Sequence, residues 1–369
     1  MAGTSSLLHI LFVYAAKHLA HFSQYYPGAL IRRLVFFTSL SQPLLGGVVD
    51  GLGFPSAFIV CYAAIGLDFL LSVVLRVSTS FPIISTFVSL VAATAIATTT
   101  TRIRRERTLL LGGLSHLPTL FSTCLAKPQR GHLDDASDPM WPFVSLGVVV
   151  LLVALAFGWR VHAAAAPLRR TQAILALNHN RSLSSLLVAQ LFLALAQCAT
   201  PPVRPSDLNW RPYDTVLPAV IVLPLCLWTC TERGIIRGAI LLLAALLVAD
   251  AATSPTLVAL VDIVRRGTVA IAHTILTSQI AHQVDVPNRG VIVGLSFLAK
   301  DATWPAVHVN HVLEPTFGAA AMRLSAGALL VFSFHHIYHI DDGVDDDLVV
   351  LQSDTVVPTS RRSHHVMTP

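Results

Sequence analysis

Long apolar stretches separated by short polar joints run along most of this chain. A bilayer core about 30 Å thick requires about 20 apolar residues in a helix, and seven stretches approach or exceed that length. The clearest of them begins and ends with Trp, which is enriched at membrane–water interfaces. The seven predicted membrane-spanning helices are Phe54–Leu75, Ser80–Thr100, Trp141–Trp159, Leu183–Ala199, Val216–Cys230, Ile235–Ala252 and Phe317–Ile340.

Four further apolar segments are interrupted by Pro, Gly, His or charged residues. They are Leu7–Phe22, Leu34–Val49, Leu109–Ala126 and Leu257–Leu298. Each is predicted to be a re-entrant, interfacial or half-spanning helix, which would raise the number of helices from seven to as many as ten. Residues 1–340 are expected to form one transmembrane domain. The tail over residues 341–369, acidic and then basic, is predicted to be disordered.

Composition supports a membrane protein over a soluble one. Apolar residues make up 54% of the chain, charged residues only 12%, and the mean hydropathy is +0.67. A soluble domain carries about 25% charged residues, so this chain lacks the polar side chains needed to cover a water-facing surface. The predicted fold class is all-α, a polytopic integral membrane helical bundle whose surrounding partner is the lipid bilayer.

The net charge of +5 comes from basic residues gathered between apolar stretches. The clusters are Arg102–Arg107, Arg160–Arg181, and the pair Arg265 and Arg266. Because cytosolic loops of membrane proteins are rich in Lys and Arg, all three are predicted to be cytosolic. The chain has no basic stripe interleaved with aromatic residues, so nucleic-acid binding is not expected.

The chain has sixteen histidines, several of them in closely spaced groups. The groups are His18 with His21, His308 with His311, and His335, His336 and His339. Three interpretations stand beside one another. The rings could lie at a membrane interface, with an apolar body and a polar tip. One histidine could act as a general base. The groups could also ligate iron, as in membrane desaturases, although no metal is expected from their sparse pattern.

The segment Ala299–Trp304, followed by His308, His311 and Phe317, resembles a block of the wax-synthase-type membrane-bound O-acyltransferases. The resemblance covers the C-terminal part of the membrane domain. It implies acyl transfer from acyl-CoA, as a co-substrate and not a bound cofactor, to a hydrophobic small-molecule alcohol. His336 or His335 would be the catalytic base. The expected compartment is the endoplasmic reticulum.

In this interpretation a second polar group stabilises the developing oxyanion, and Asn310 or His311 is the candidate. The sequence departs from the family block at Thr303, where the family has Phe. It also lacks the second Trp and the following Arg of the block.

Two other functions remain open at this point. Charged residues lie inside predicted spans at Asp68, Arg237, Asp250 and Arg323, and such residues are costly in lipid and often functional. A membrane terpene cyclase would use an acid such as Asp68. A transporter or channel is the non-enzymatic alternative, and the lack of a visible internal repeat counts against it.

Overall fold

The computed structural model describes residues 28–53, 56–61, 63–64, 82–99, 105–113, 180–198, 221–250, 255–284, 288–301 and 303–338. These residues are helical almost throughout, and none of them is in a β-strand. The predicted all-α fold class is therefore confirmed for the described part of the chain. The interrupted segment Leu7–Phe22, the predicted span Trp141–Trp159 and the tail over 341–369 lie outside the described residues. The division at residue 340 therefore stays a prediction.

Eight helices are labelled in chain order, and residues 56–61 and 105–113 are helical as well. The helices are α1 Gly28–Leu52, α2 Pro82–Thr99, α3 Arg181–Cys198, α4 Leu223–Thr229, α5 Glu232–Asp250, α6 Pro255–His282, α7 Arg289–Asp301 and α8 Thr303–Tyr338.

Uninterrupted apolar stretches form the helices that the sequence predicts. The predicted spans Ser80–Thr100 and Leu183–Ala199 correspond to α2 and α3 to within two residues at each end. Ile235–Ala252 corresponds to α5, which begins three residues earlier at Glu232. Such agreement follows from composition alone, because a long apolar stretch in lipid must satisfy its backbone hydrogen bonds within the segment.

Two of the interrupted segments, Leu34–Val49 and Leu257–Leu298, lie in long helices. Their re-entrant, interfacial or half-spanning placement in a membrane stays a prediction. Leu34–Val49 is the core of α1, which has 25 residues and retains Pro43 in its interior. Leu257–Leu298 divides into two helices, α6 with 28 residues and α7. Some of their polar residues pair within one helix, as Asp262 does with Arg265 and Arg266, and others contact a neighbouring helix, as Arg289 does.

Helix α8 contains a sharp break. Gly318 has φ 78° and ψ 160°, in the left-handed region that glycine tolerates. The break coincides with the predicted start of the last span at Phe317. Among the described helices, the section Ala320–Tyr338, with a mean hydropathy of 1.2, is the one that is both long and apolar enough to cross a membrane on length and composition alone.

Two groups of buried apolar side chains hold the described helices together. The first joins α2 and the helical residues 56–61 to Val293 of α7. The second joins α3, α5, α6 and α8 to Ile292 of α7. Because neighbouring residues of α7 belong to different groups, this helix connects the N-terminal segment (residues 28–113) with the C-terminal segment (residues 180–338).

Candidate functional site: the closed end of the bundle

Helices α1 and α7 approach each other so closely that only glycine fits between them. A Cβ atom placed on Gly46 would lie 2.1 Å from the carbonyl oxygen of Gly290. One placed on Gly290 would lie 2.4 Å from the carbonyl oxygen of Gly46, and one on Gly294 would lie 2.5 Å from that of Gln42. Small residues allow helix backbones in membranes to pack at such short range.

Asp50, near the end of α1, binds the first turn of α7. Its two carboxylate oxygens accept hydrogen bonds from the backbone N–H groups of Gly290, at 2.7 Å, and Val291, at 2.9 Å. The first N–H groups of a helix have no partner within the helix, and a negative charge there is favoured by the helix dipole. A residue of the N-terminal segment therefore caps a helix of the C-terminal segment.

Arg289 makes a second connection between the segments at the same level. Its side chain is buried, its Nε donates to the carbonyl oxygen of Val284, and its NH1 donates to the carbonyl oxygen of Ala97, each at 3.0 Å. Ala97 lies in the last turn of α2. The guanidinium thus joins the end of α2 to the connection between α6 and α7.

Thr108, in the helical residues 105–113, makes a third connection. Its hydroxyl contacts the carboxylate of Glu232, the first residue of α5, and lies 2.7 Å from the Ser278 hydroxyl of α6. Thr108 and Ser278 are buried, and Glu232 is nearly so. This small polar cluster is shielded from the surroundings of the bundle.

These contacts all lie at one end of the molecule. They involve the last turns of α1 and α2, the start of the helical residues 105–113, the first turns of α5 and α7, and the last part of α6. We call this region the closed end, defined by Asp50, Ala97, Thr108, Glu232, Ser278 and Arg289. One crossing contact lies deeper, from Gln42 Nε2 to Asp301 Oδ2 at 2.6 Å. Gln42 is eight residues before Asp50, about 12 Å along the helix.

Beyond the closed end, the interior of the C-terminal segment contains a chain of buried polar groups. Gln190 Oε1 accepts from Ser296 at 2.8 Å, Ser296 pairs with Thr277 at 3.1 Å, and Gln190 Nε2 donates to Thr277 at 3.2 Å. All three side chains are buried. Further along α3 and α6, Gln197 Nε2 lies 3.0 Å from Nε2 of the buried His273.

Of the predicted catalytic residues, His335 and His336 are the ones whose side chains the structure describes. His336 stacks on Phe192, with ring centroids 6.0 Å apart, and His335 is exposed. His308, Asn310 and His311 belong to α8, in the part for which the backbone alone is described.

Asp68 lies outside the described residues. The membrane-interface interpretation of the histidines and the catalytic roles assigned to them both stay predictions. The described residues contain no group of three or more His, Cys, Asp or Glu side chains placed to hold a metal ion.

Three of the predicted intramembrane charges lie in described helices. The guanidinium of Arg237 lies over the ring of Tyr338, 5.2 Å from its centroid. Asp250 is the last residue of α5, and Arg323 lies in α8. The cluster Arg265 and Arg266 lies inside α6 and not in a loop between spans. The prediction that these arginines form a joint between spans is therefore wrong, and both pair with Asp262 of the same helix.

Similarity to known proteins is confined to structure. No protein-family model matches the chain, and no curated protein matches it in sequence. The chain is similar to a bacterial homologue of the iron transporter ferroportin in an outward-facing state, with 14% identity, coverage of 92% of this chain and 98% of that chain, and a TM-score of 0.63.

Two other transporters give comparable matches. The human organic anion transporter MFSD10 has 15% identity, covers 91% of this chain and 98% of its own, and has a TM-score of 0.61. FucP, a transporter of the Major Facilitator Superfamily in its outward conformation, has 12% identity, 90% and 97% coverage, and a TM-score of 0.62. The fold is therefore that of a polytopic, multi-pass membrane helical bundle of the kind these transporters have.

These similarities overturn the enzymatic interpretation. The resemblance to wax-synthase-type acyltransferases is wrong, and so is the expectation of a membrane acyltransferase, since the structures similar to nearly the whole chain are transporters. The block Ala299–Trp304 spans the end of α7 and the start of α8. Nothing in the structure tests the acyl-CoA co-substrate, and the endoplasmic reticulum gains no support.

The residues of the closed end were not among the sequence-based candidates. Asp50 directly follows the interrupted segment Leu34–Val49, near the end of α1, and Arg289 begins α7 within the interrupted segment Leu257–Leu298. The usable signal was the pair of glycine-rich stretches, Gly46–Gly53 and Gly290–Gly294, because glycines in a predicted membrane helix indicate close packing against a neighbour.

Proposed function

We propose that this protein is a secondary transporter that moves a small solute across a membrane by alternating access. Transporters of the Major Facilitator Superfamily consist of two six-helix halves that rock against each other around a central site. Residues 28–113 and 180–338 correspond to parts of such halves. One observation carries the proposal: the hydrogen bonds between the N-terminal and C-terminal segments are concentrated at the closed end. Two halves that rock against each other must close the solute path at one end at a time, and contacts concentrated at one end do this.

The charge pattern supports an orientation for the closed end. Four arginines lie within six residues before Thr108 of the closed end: Arg102, Arg104, Arg105 and Arg107. By the positive-inside tendency, this end faces the cytosol. A cytosolic closed end would correspond to an outward-facing state, the state of the ferroportin homologue and FucP structures.

The fold alone does not fix the cargo. The similar structures include an iron transporter homologue, an organic anion transporter and a fucose:proton symporter. The buried side chains of Gln190, Thr277 and Ser296 bond to one another and do not indicate the cargo.

Pinning α1 to α7 tests the proposal. In a chain whose native cysteines are replaced, the pair Q42C/D301C would be joined by a short bifunctional thiol reagent with a reducible linker. The protein would be reconstituted in liposomes, and uptake of a panel of radiolabelled sugars, organic acids and metal ions would be measured. We expect uptake of at least one solute before cross-linking, its loss after cross-linking, and its recovery when the linker is reduced.

The single variants Q42C and D301C, treated with the same reagent, are the matched controls. Both should retain uptake, because neither can form the link. Uptake that persists in the fully cross-linked pair would show that α1 and α7 need not separate, and would contradict alternating access by separation of these helices.

A further inference from the structure

Helix α6 carries three charged residues in its interior. Asp262 is buried and pairs through its two carboxylate oxygens with the NH2 groups of Arg265 and Arg266. Each isolated charge would cost about 2.5–3.5 kcal/mol at a bilayer centre on insertion scales, so pairing is expected. However, one carboxylate cannot neutralise two guanidiniums, and the cluster retains one positive charge.

The spacing of polar residues along α6 places part of this cluster on the inward face of the helix. Asp262, Arg266, His273 and Thr277 are separated by four, seven and four residues. At about 100° per residue, the four positions fall within a sector of about 60°. His273 and Thr277 contact Gln197 and Gln190 of α3. The face that carries Arg266 is therefore the face that is directed to the interior of the C-terminal segment.

The cluster lies well away from the closed end along α6. Arg266 lies twelve residues before Ser278 of the closed end, which is about 18 Å along a helix axis. The side chain of Arg266 is 33% exposed and that of Arg265 15% exposed. Arg266 is therefore partly accessible, while its partner Asp262 is not.

We infer that Arg265 and Arg266 bind the anionic group of the cargo, a carboxylate or a phosphate, with Asp262 holding the two guanidiniums in place. This inference rests on the proposed transport function and names its substrate class. A guanidinium has five N–H donors in a planar fork that matches both anions. Among the described residues Asp262 is the partner of both arginines, and it engages one NH2 group of each. Donors and a net positive charge remain for a ligand.

The competing interpretation gives the cluster a purely structural role. The ratio of two arginines to one aspartate is evidence against that role. A single arginine would neutralise Asp262 fully. The second arginine adds a charge that must be balanced from elsewhere in a low-dielectric region. A bound anion supplies that balance, and its departure restores the surplus positive charge for the next anion.

Direct binding tests the inference. The full chain in neutral-lipid nanodiscs would be titrated with radiolabelled succinate and, separately, with inorganic phosphate at low ionic strength. We expect one of these anions to bind, and the one that does identifies the group as carboxylate or phosphate. R265Q and R266Q should each weaken that binding about tenfold or more, because each removes a charge-assisted contact. R181Q, at the exposed start of α3, should bind as the wild type does.

Should R266Q fail to yield folded protein, R266K carries the test. It retains the ion pair with Asp262 but lacks the planar fork, so weaker binding is expected and unchanged binding would contradict the inference. Failure of both anions to bind, or binding that survives R265Q and R266Q, would overturn it.

The outcome is separable from that of the transport proposal. If cross-linking of Q42C/D301C stops uptake of some other solute while anions do not bind, the transporter stands and the anion site falls. If anions bind through Arg265 and Arg266 but no uptake responds to cross-linking, the site stands and alternating access at the closed end falls.

Discussion

At the scale of single residues, Asp50 has the most consequential set of contacts. Its carboxylate caps the N-terminus of α7 across the boundary between the two segments. The charge contributes in two ways: it accepts two backbone hydrogen bonds, and it lies at the positive end of the helix dipole. Neither contribution requires conformational change of α7 itself, so the contact can form and break as a unit.

Replacing Asp50 with Asn should loosen the start of α7. Hydrogen bonds to charged groups contribute about 1.5–3 kcal/mol, so the amides of Gly290 and Val291 should exchange hydrogen about ten- to hundredfold faster. Hydrogen-exchange mass spectrometry of the chain in nanodiscs, on peptides covering residues 289–295, measures this directly.

The matched control is Glu106→Gln, which removes an exposed acid at the same end of the bundle. It should leave the exchange of residues 289–295 unchanged. Exchange in Asp50→Asn that equals the wild-type rate would show that the cap does not hold the closed end.

The residue scale also shows why the sequence could not locate this site. Asp50 and Gly290 are 240 positions apart, and Arg289 and Ala97 are 192 apart. No spacing rule connects residues at such separations. The histidine groups, by contrast, are conspicuous because their members are close in sequence, yet His336 packs on Phe192 and His335 is exposed.

At the scale of the element, the contact between α1 and α7 depends on glycine. The carbonyl oxygens of Gly46 and Gly290 occupy the positions where the opposite Cβ would be. The backbones cannot move aside without breaking the cap at Asp50, because cap and glycine contact involve the same turn of α7.

Gly290→Ala should therefore destabilise the closed end. Overpacking of a tight contact typically costs about 1–3 kcal/mol, and the thermal midpoint of unfolding in detergent should fall accordingly. Gly238→Ala in α5 is the matched control, because nothing lies within 4 Å of a Cβ at that position. There Ala should be neutral or stabilising by up to about 1 kcal/mol. Equal midpoints for the two variants would contradict close packing of α1 on α7.

Elements with uninterrupted apolar sequence were predictable, and those with internal polar groups were not. Helices α2 and α3 follow from hydropathy. Helices α1, α6 and α7 contain Pro43, Asp262, Arg265 and Arg289, which reduce hydropathy in any sequence window. In the folded bundle these polar groups have partners, a fact that a window average does not contain.

At the scale of the whole molecule, the sequence predicts the fold class correctly, and the acyltransferase function that it suggests is wrong. Composition was sufficient to predict a polytopic helical membrane protein. The lack of a visible internal repeat in the sequence counts against a transporter, and this indication is misleading. Structural repeats in transporters can be retained without sequence similarity. Identities of 12–15% to the similar transporters illustrate how little sequence the fold requires.

The distance between the N-terminal and C-terminal segments at the closed end is the most direct test of alternating access. Spin labels on Glu106→Cys and Arg181→Cys, both exposed and on different segments, would be measured by pulsed electron resonance in nanodiscs. A pair within one segment, Arg181→Cys with Leu324→Cys, serves as the reference. The account predicts two populations for the first pair, with Asp50→Asn increasing the longer one, and a single population for the reference pair. One narrow distance for the first pair, unmoved by Asp50→Asn, would contradict it.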